Sequence, residues 1–260
     1  MDILQILFRW VHILMGIVWI GLLYFFNFVN GPFAGTMDGD TKKKVVPELM
    51  PRALFWFRWG AAWTWFTGLL LLALVFYHGG IMFENTGGGW GVGAMVMVAL
   101  VFLAPIIYDA LFKSALGKNI KVAATIGFVL IAAITLLMVK WGGFSYRAFN
   151  IHVGSMLGTI MAFNVWFRIW PSQRKIITAV KNGTPPDAAV VALAGSRSRH
   201  NTYLSVPLLW TMINQHTTSL AGERYGIPGQ LSWLVLLIVI LVGWHLVFQF
   251  YKKAAKVKGF

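Results

Sequence analysis

Arg9-Trp-Val-His-Ile-Leu-Met-Gly-Ile-Val-Trp-Ile-Gly-Leu-Leu-Tyr-Phe-Phe-Asn27 is the stretch on which the reading of this chain turns. It is apolar enough, with the residues before it, to cross a bilayer, yet it holds a histidine, His12, a few turns inside its start. A span needs about twenty apolar residues, and an ionisable side chain within one is costly and usually functional. Three further histidines, His152, His216 and His245, sit in other apolar stretches. Whether they assemble one site is the question the rest of the sequence must answer.

Of 260 residues, 58% are hydrophobic and only 12% charged, with a mean hydropathy of +0.70. A soluble domain carries about a quarter charged residues. The composition and its repeated apolar runs therefore predict an all-α, polytopic membrane helix bundle in a single domain over 1–260. The start lacks a basic n-region and is long enough to span, so it reads as a helix and not a signal peptide. The net charge of +14 speaks of topology and contact with membrane lipid, not of nucleic acid. Cysteine is absent, which excludes disulfides, thiolate metal sites, iron–sulfur clusters and covalently attached haem.

Seven spans are expected, near 4–27, 53–77, 92–112, 121–140, 147–170, 201–221 and 231–251. All but four of the 22 Lys and Arg then fall on one side, the four being Arg9, Lys140, Arg147 and Arg224. The positive-inside rule places the N-terminus outside and the C-terminus in the cytoplasm. Pro171 is expected to end the fifth span, with a short amphipathic helix at 172–180 and a breaker at Asn182-Gly-Thr-Pro-Pro186.

At about 1.5 Å of rise per residue, His12, His152 and His216 come to roughly 8–12 Å from the outer end of their spans. His245 falls nearer the inner leaflet. No two share a helix, so a group ligated by them would bridge helices, as a b-type haem does in a bundle core. Neutral imidazole is a good iron ligand. Haem b is the expected cofactor, with iron ligands drawn from His12, His152 and His216, and with His245 as a candidate for a second, lower haem. Zinc or copper is less favoured, because carboxylates are missing at that depth. The competing reading is that each histidine merely bonds a neighbouring helix. The expected sixth span is the most polar, with Asn214 and Gln215 beside His216 and with Pro207 inside it. Its amides suit a polar, planar ligand or, equally, glue between helices. Gly154-x-x-x-Gly158 permits close helix approach, and Asp109 has Lys113 at i+4 as a partner. A rhodopsin-type Schiff base is excluded, since no lysine lies between Gln230 and Tyr251.

Three segments together resemble a known family. Arg9-Trp-x-His12-x-x-x-Gly16-x-x-Trp19-Ile-Gly21, Arg147-Ala-x-Asn150-x-His152 and Ser198-Arg-His-Asn-x-Tyr-x-Ser-x-Pro207 with His216 beyond look like the membrane domain of the bacterial cytochrome-c-linked urate oxidases, or urate hydroxylases. The resemblance implies oxidation of urate to 5-hydroxyisourate, with electrons passed to cytochrome c. Family enzymes carry a cytochrome c domain. This sequence has no Cys-x-x-Cys-His, so a separate cytochrome or other redox subunit is the expected acceptor.

On that basis the favoured expectation is a haem b oxidoreductase acting on urate or a similar purine from the outer face. Arg147, Asn150, Asn214 and Gln215 are its candidate substrate contacts, the arginine suiting an anionic substrate. The catalytic residues are not identified from sequence. A second class is an electron-transfer subunit that relays between a partner dehydrogenase or cytochrome and quinone. A third is a non-redox transporter with the histidines as proton relays.

Overall fold

The computed structural model describes residues 2–83, 89–218 and 228–259. It is an all-α protein. Arg224, the end of the expected sixth span at 219–221 and most of the Gly87-Gly88-Gly89 run lie outside the described residues. Six helical segments are long and apolar enough to cross a membrane: Asp2–Thr36, Gly39–Tyr77, Val92–Lys113, Ile120–Lys140, Tyr146–Lys181 and Ser232–Ala254. The protein is a multi-pass membrane protein.

Helix α1 (Asp2–Tyr24) continues through a π-helical turn, Phe25–Asn30, into α2 (Gly31–Thr36). Helix α3 (Gly39–Leu71) carries Pro47 and Pro51 inside it and continues into a second π-helical turn, Leu72–Tyr77. The stretch expected as a first loop is therefore helical from Gly39 onward. Its start is fixed by Asp38, whose carboxylate accepts bonds from the Thr41 N–H and O–H, each at 2.8 Å. Those donors hold the exposed Asp38 carboxyl below its ordinary pKa. Helices α4 (Val92–Lys113) and α5 (Ile120–Lys140) follow, and Asp109 does pair with Lys113, at 2.8 Å.

Helix α6 (Tyr146–Asn164) passes through a third π-helical turn, Val165–Ile169, into α7 (Trp170–Lys181). Pro171 does not end the helix as expected. It stands in the first turn of α7, after the π-helical residues, where its missing N–H breaks no i→i−4 bond. The breaker works as expected: Thr184–Asp187 is not helical, and Gly183 adopts φ +71°. The Tyr146–Lys181 segment is the enclosed one. Of its most apolar window 83% is buried, against 33% or less in the other five.

Helix α8 (Ala188–Asn214) is long enough to span but is not among the six apolar segments. Its polar residues are buried instead, Arg197, Asn201, Thr202, Ser205, Thr211 and Asn214 among them. In a bilayer such groups find partners on other helices. Helix α9 (Ser232–Ala254) closes the chain.

By packing, the chain divides into two compact units. The first comprises Met1–Leu70, Met161–Ser205 and Gly243–Phe260; the second comprises Leu71–Ile160 and Val206–Val242. In the first unit, polar bonds link the helices. Tyr24 donates to Ser205 Oγ at 2.9 Å, and Asn164 Nδ2 donates to Asn201 Oδ1 at 2.9 Å. Asn27 donates to Leu23 O and Ser198 Oγ, each at 2.8 Å, and its Oδ1 accepts from the Tyr251 hydroxyl at 2.8 Å. The polar residues of the Ser198–Pro207 segment named here thus join helices. In the second unit, α6 and α8 approach so closely that a Cβ on Gly154 would collide with Thr211 Oγ1, while Gly158 has ordinary room against Leu208.

Candidate functional site

His12 belongs to the first unit. On α1, His12, Gly16 and Trp19 follow at spacings of four and three and so share a face. The matching stripe of α3 is Gly60, Thr64, Thr67 and Gly68. A Cβ on Gly60 would come within 3.2 Å of Trp19 N, and one on Gly68 within 2.9 Å of His12 Cε1. The imidazole therefore lies against bare backbone at Gly68. The Thr67 hydroxyl donates to Trp63 O at 2.6 Å, so the 3.3 Å contact between His12 Nδ1 and Thr67 Oγ1 has the imidazole as donor. The network thereby assigns the proton to Nδ1 and leaves the Nε2 lone pair as the ligating one.

His152 belongs to the second unit and is fully buried. Its Nδ1 lies 2.7 Å from Ala148 O, one turn back on α6. A carbonyl only accepts, so this proton too is on Nδ1. Nε2 then accepts from the Tyr77 hydroxyl at 3.2 Å. Aromatic rings close the shell: Phe144 at 4.8 Å, Tyr77 at 5.7 Å and Phe76 at 6.2 Å between centroids. Tyr77 ends the π-helical turn after α3, and such turns often occur where a side chain serves function. Phe144 is set by a tight junction before α6, where Ser145 N donates to Met82 O at 2.9 Å and Ser145 Oγ to Ile81 O at 2.8 Å.

These geometries test the expected haem. A ligating histidine normally gives its other N–H to a fixed acceptor. His12 meets that requirement through Nδ1, and Gly68 leaves bare backbone beneath its ring. His152 meets the first half only. Its lone pair is already held by Tyr77, and its ring is enclosed by aromatic side chains, so an iron there would have to displace both. His152 as it stands does not fit a haem, and His12 offers the fixed Nδ1 anchor that a ligating histidine needs.

The other two histidines differ from expectation. His216 was expected within a span, but α8 stops at Asn214. His216 follows in a turn, its N–H bonded to Ile213 O at 3.1 Å, and its side chain is exposed. His245 lies on the exposed side of α9, with its Nε2 3.1 Å from Gln249 Nε2. Among the described residues, no group of three His, Cys, Asp or Glu converges to hold a metal ion.

Two of the expected substrate contacts do come together in the second unit. Asn214 Nδ2 donates to the Tyr146 hydroxyl at 2.6 Å and lies 3.4 Å from Asn150 Oδ1, and Asn150 Nδ2 donates to Tyr146 O at 2.9 Å. All three residues are buried. Arg147, next in the chain, is exposed. Gln215 turns back on its own helix end, donating to Met212 O at 3.2 Å. Sequence reasoning missed Tyr77, Tyr146, Thr67 and Gly68. Only Tyr146 carried a local signal, its i, i+4 spacing to Asn150.

The fold and these groups define a multi-pass helical membrane protein that sets imidazole and amide chemistry within its helices. The family model described as urate oxidase N-terminal matches residues 33–259, and the chain belongs to that family. His152, Tyr77 and the amide cluster lie within the matched residues; His12 precedes them. No curated protein and no solved structure matches the chain.

Proposed function

We propose that the chain is the membrane part of a urate-oxidase-like oxidoreductase of the bacterial inner membrane. The reaction is the hydration-coupled oxidation of urate, or a closely related purine: substrate and water yield the 5-hydroxy product, two protons and two electrons. The electrons go to a separate acceptor, a cytochrome c or similar redox protein. The N-terminus and the start of α6 face outward, as the bias of Lys and Arg requires. Family membership over 33–259 is the observation that carries this reading.

Haem b is the proposed redox group, with His12 as its ligand; when bound, it supplies one-electron exchange at the bundle. Thr67 holds the His12 proton on Nδ1, and Gly68 keeps the ring free of a side chain. Arg147 attracts the anionic substrate. The Tyr146, Asn150 and Asn214 cluster supplies donors and acceptors of fixed direction for the lactam edges of a purine.

The test uses the full chain in detergent, with urate and ferricytochrome c. Urate-dependent reduction of the cytochrome is expected, with Arg147→Gln raising KM and leaving the melting temperature unchanged. No reduction by a protein carrying its full complement of haem would sink the enzyme assignment. Absence of a Soret band from protein expressed with excess haem would sink the cofactor. A band that survives His12→Ala would remove His12 as the ligand.

A further inference from the structure

Two arginines of the first unit share one indole. Arg58, on α3, has its guanidinium carbon 4.0 Å from the centre of the Trp170 ring, and Arg174, one turn along α7, lies 5.9 Å from the same ring. Phe55 and Trp166 stand 5.7 and 5.9 Å from the Arg58 carbon. The rings are themselves held: Trp166 Nε1 donates to Arg58 O at 3.1 Å, and Trp59 packs edge-on against Trp166 at 5.5 Å. Aromatic rings thus cover the guanidinium and accept none of its hydrogen bonds in the plane. Arg58 Nε is buried and, among the described residues, has no hydrogen-bond partner. Among the same residues neither arginine is ion-paired with a carboxylate; Glu48, on the same helix as Arg58, is held by Arg52 at 2.7 Å.

We propose that Arg58 and Arg174 bind the phosphate of an anionic phospholipid, whose acyl chains lie along the exposed rings of α3. Stacking fixes the plane of a guanidinium and leaves its fork of N–H donors for an oxyanion, the geometry in which arginine holds phosphate. Measured to one ring centre, the two guanidinium carbons are at most about 10 Å apart, near one screening length in salt solution, so they repel each other and attract a shared anion.

Two observations select a lipid over a free anion. The first is position. The Tyr146–Lys181 segment passes here from its apolar part into α7, which carries Arg174, Lys175 and Lys181. Basic residues at such a junction meet the headgroups of a bilayer. The second is the surface beside the cations. Phe55 and Trp59 are 44% and 41% exposed, an aromatic face that acyl chains cover and a free anion leaves bare. The site requires only that the chain spans a membrane, and it stands apart from the oxidation of urate.

The test is native mass spectrometry of the full-length protein, delipidated in detergent and titrated with phosphatidylglycerol or with phosphatidylcholine. The first phosphatidylglycerol is expected to bind about tenfold more tightly than the first phosphatidylcholine. Arg174 is exposed, so Arg174→Gln keeps the fold and is expected to weaken that binding about fivefold. Arg58→Gln should weaken it at least as much; where it lowers the melting temperature, Arg174→Gln decides. Arg52→Gln removes a charge from the same helix and is expected to leave binding unchanged. Equal affinity for the two lipids overturns the proposal. Undiminished binding in Arg174→Gln does so too, and an equal loss in Arg52→Gln makes net charge the cause and removes the site. Displacement of the lipid by millimolar inorganic phosphate makes the occupant a free anion and overturns the lipid assignment.

Discussion

A single methyl group tests the cradle under His12. In Gly68→Ala the new Cβ would stand 2.9 Å from His12 Cε1, so the imidazole must move or α1 must shift. Overpacking of this kind costs about 1–3 kcal/mol. A lowered melting temperature in detergent is expected for Gly68→Ala and not for Gly21→Ala, where a Cβ meets nothing within 4 Å. The buried amide cluster makes a parallel case. Tyr146→Phe leaves a buried Asn214 N–H facing a ring edge, and an orphaned donor costs about 1–3 kcal/mol. Thermal unfolding of Tyr146→Phe against the wild type measures it. At this scale the sequence exposed the polar member of each contact and hid its counterpart. His12 stands out in an apolar run, but nothing local marks Gly68 as the backbone against which its ring lies. Tyr77 ends an apolar helix, which is where interfacial tyrosines occur anyway. Only its contact with a histidine 75 residues away distinguishes it.

The helices bring in boundaries and approach distances. Gly154→Ala is expected to destabilise the α6–α8 contact by about 1–3 kcal/mol, and Thr211→Ala should restore part of it. A double-mutant cycle on melting in detergent measures that coupling, and strict additivity would contradict the close approach. The start of α3 predicts a pH effect. The Asp38 carboxyl is held below its ordinary pKa by Thr41. A depressed carboxyl contributes its stability above the unfolded-state pKa and loses it as the pH falls through the folded one. Faster amide exchange at Thr41 is expected as the solution is taken below the ordinary carboxylate range. Helix identity was legible because the apolar runs are long, and the helix ends were not. No glycine or proline follows Asn214 before Gly222 to mark a stop, so the expected span runs through His216, which the turn after Asn214 leaves exposed. Pro171 looked like a terminus because sequence does not announce a π-helical turn beside it.

For the whole molecule, the asymmetry of Lys and Arg predicts sidedness. The chain has no cysteine, so single-cysteine variants report without background. With an impermeant maleimide on intact cells, Lys140→Cys should label and Lys256→Cys should not; the opposite result reverses the topology. The membrane class and the family were readable from composition and from three separated segments. The sorting of histidines into one cradled, one capped and two exposed was not, because each outcome depends on a neighbour far away in sequence.

The bond between Tyr251 and Asn27 also carries information about time. It joins residues 224 positions apart, one near the start of the chain and one near its end. At ribosomal rates of about 5–20 residues per second, the partner of Asn27 is made roughly 10–45 seconds after Asn27 itself. During that interval one amide hydrogen can rest on Leu23 O within the same helix turn, while the amide oxygen waits. Helix α1 is thus completed only after α9 has been made. A ribosome that stops before α9 leaves the Asn27 amide oxygen without the Tyr251 hydroxyl.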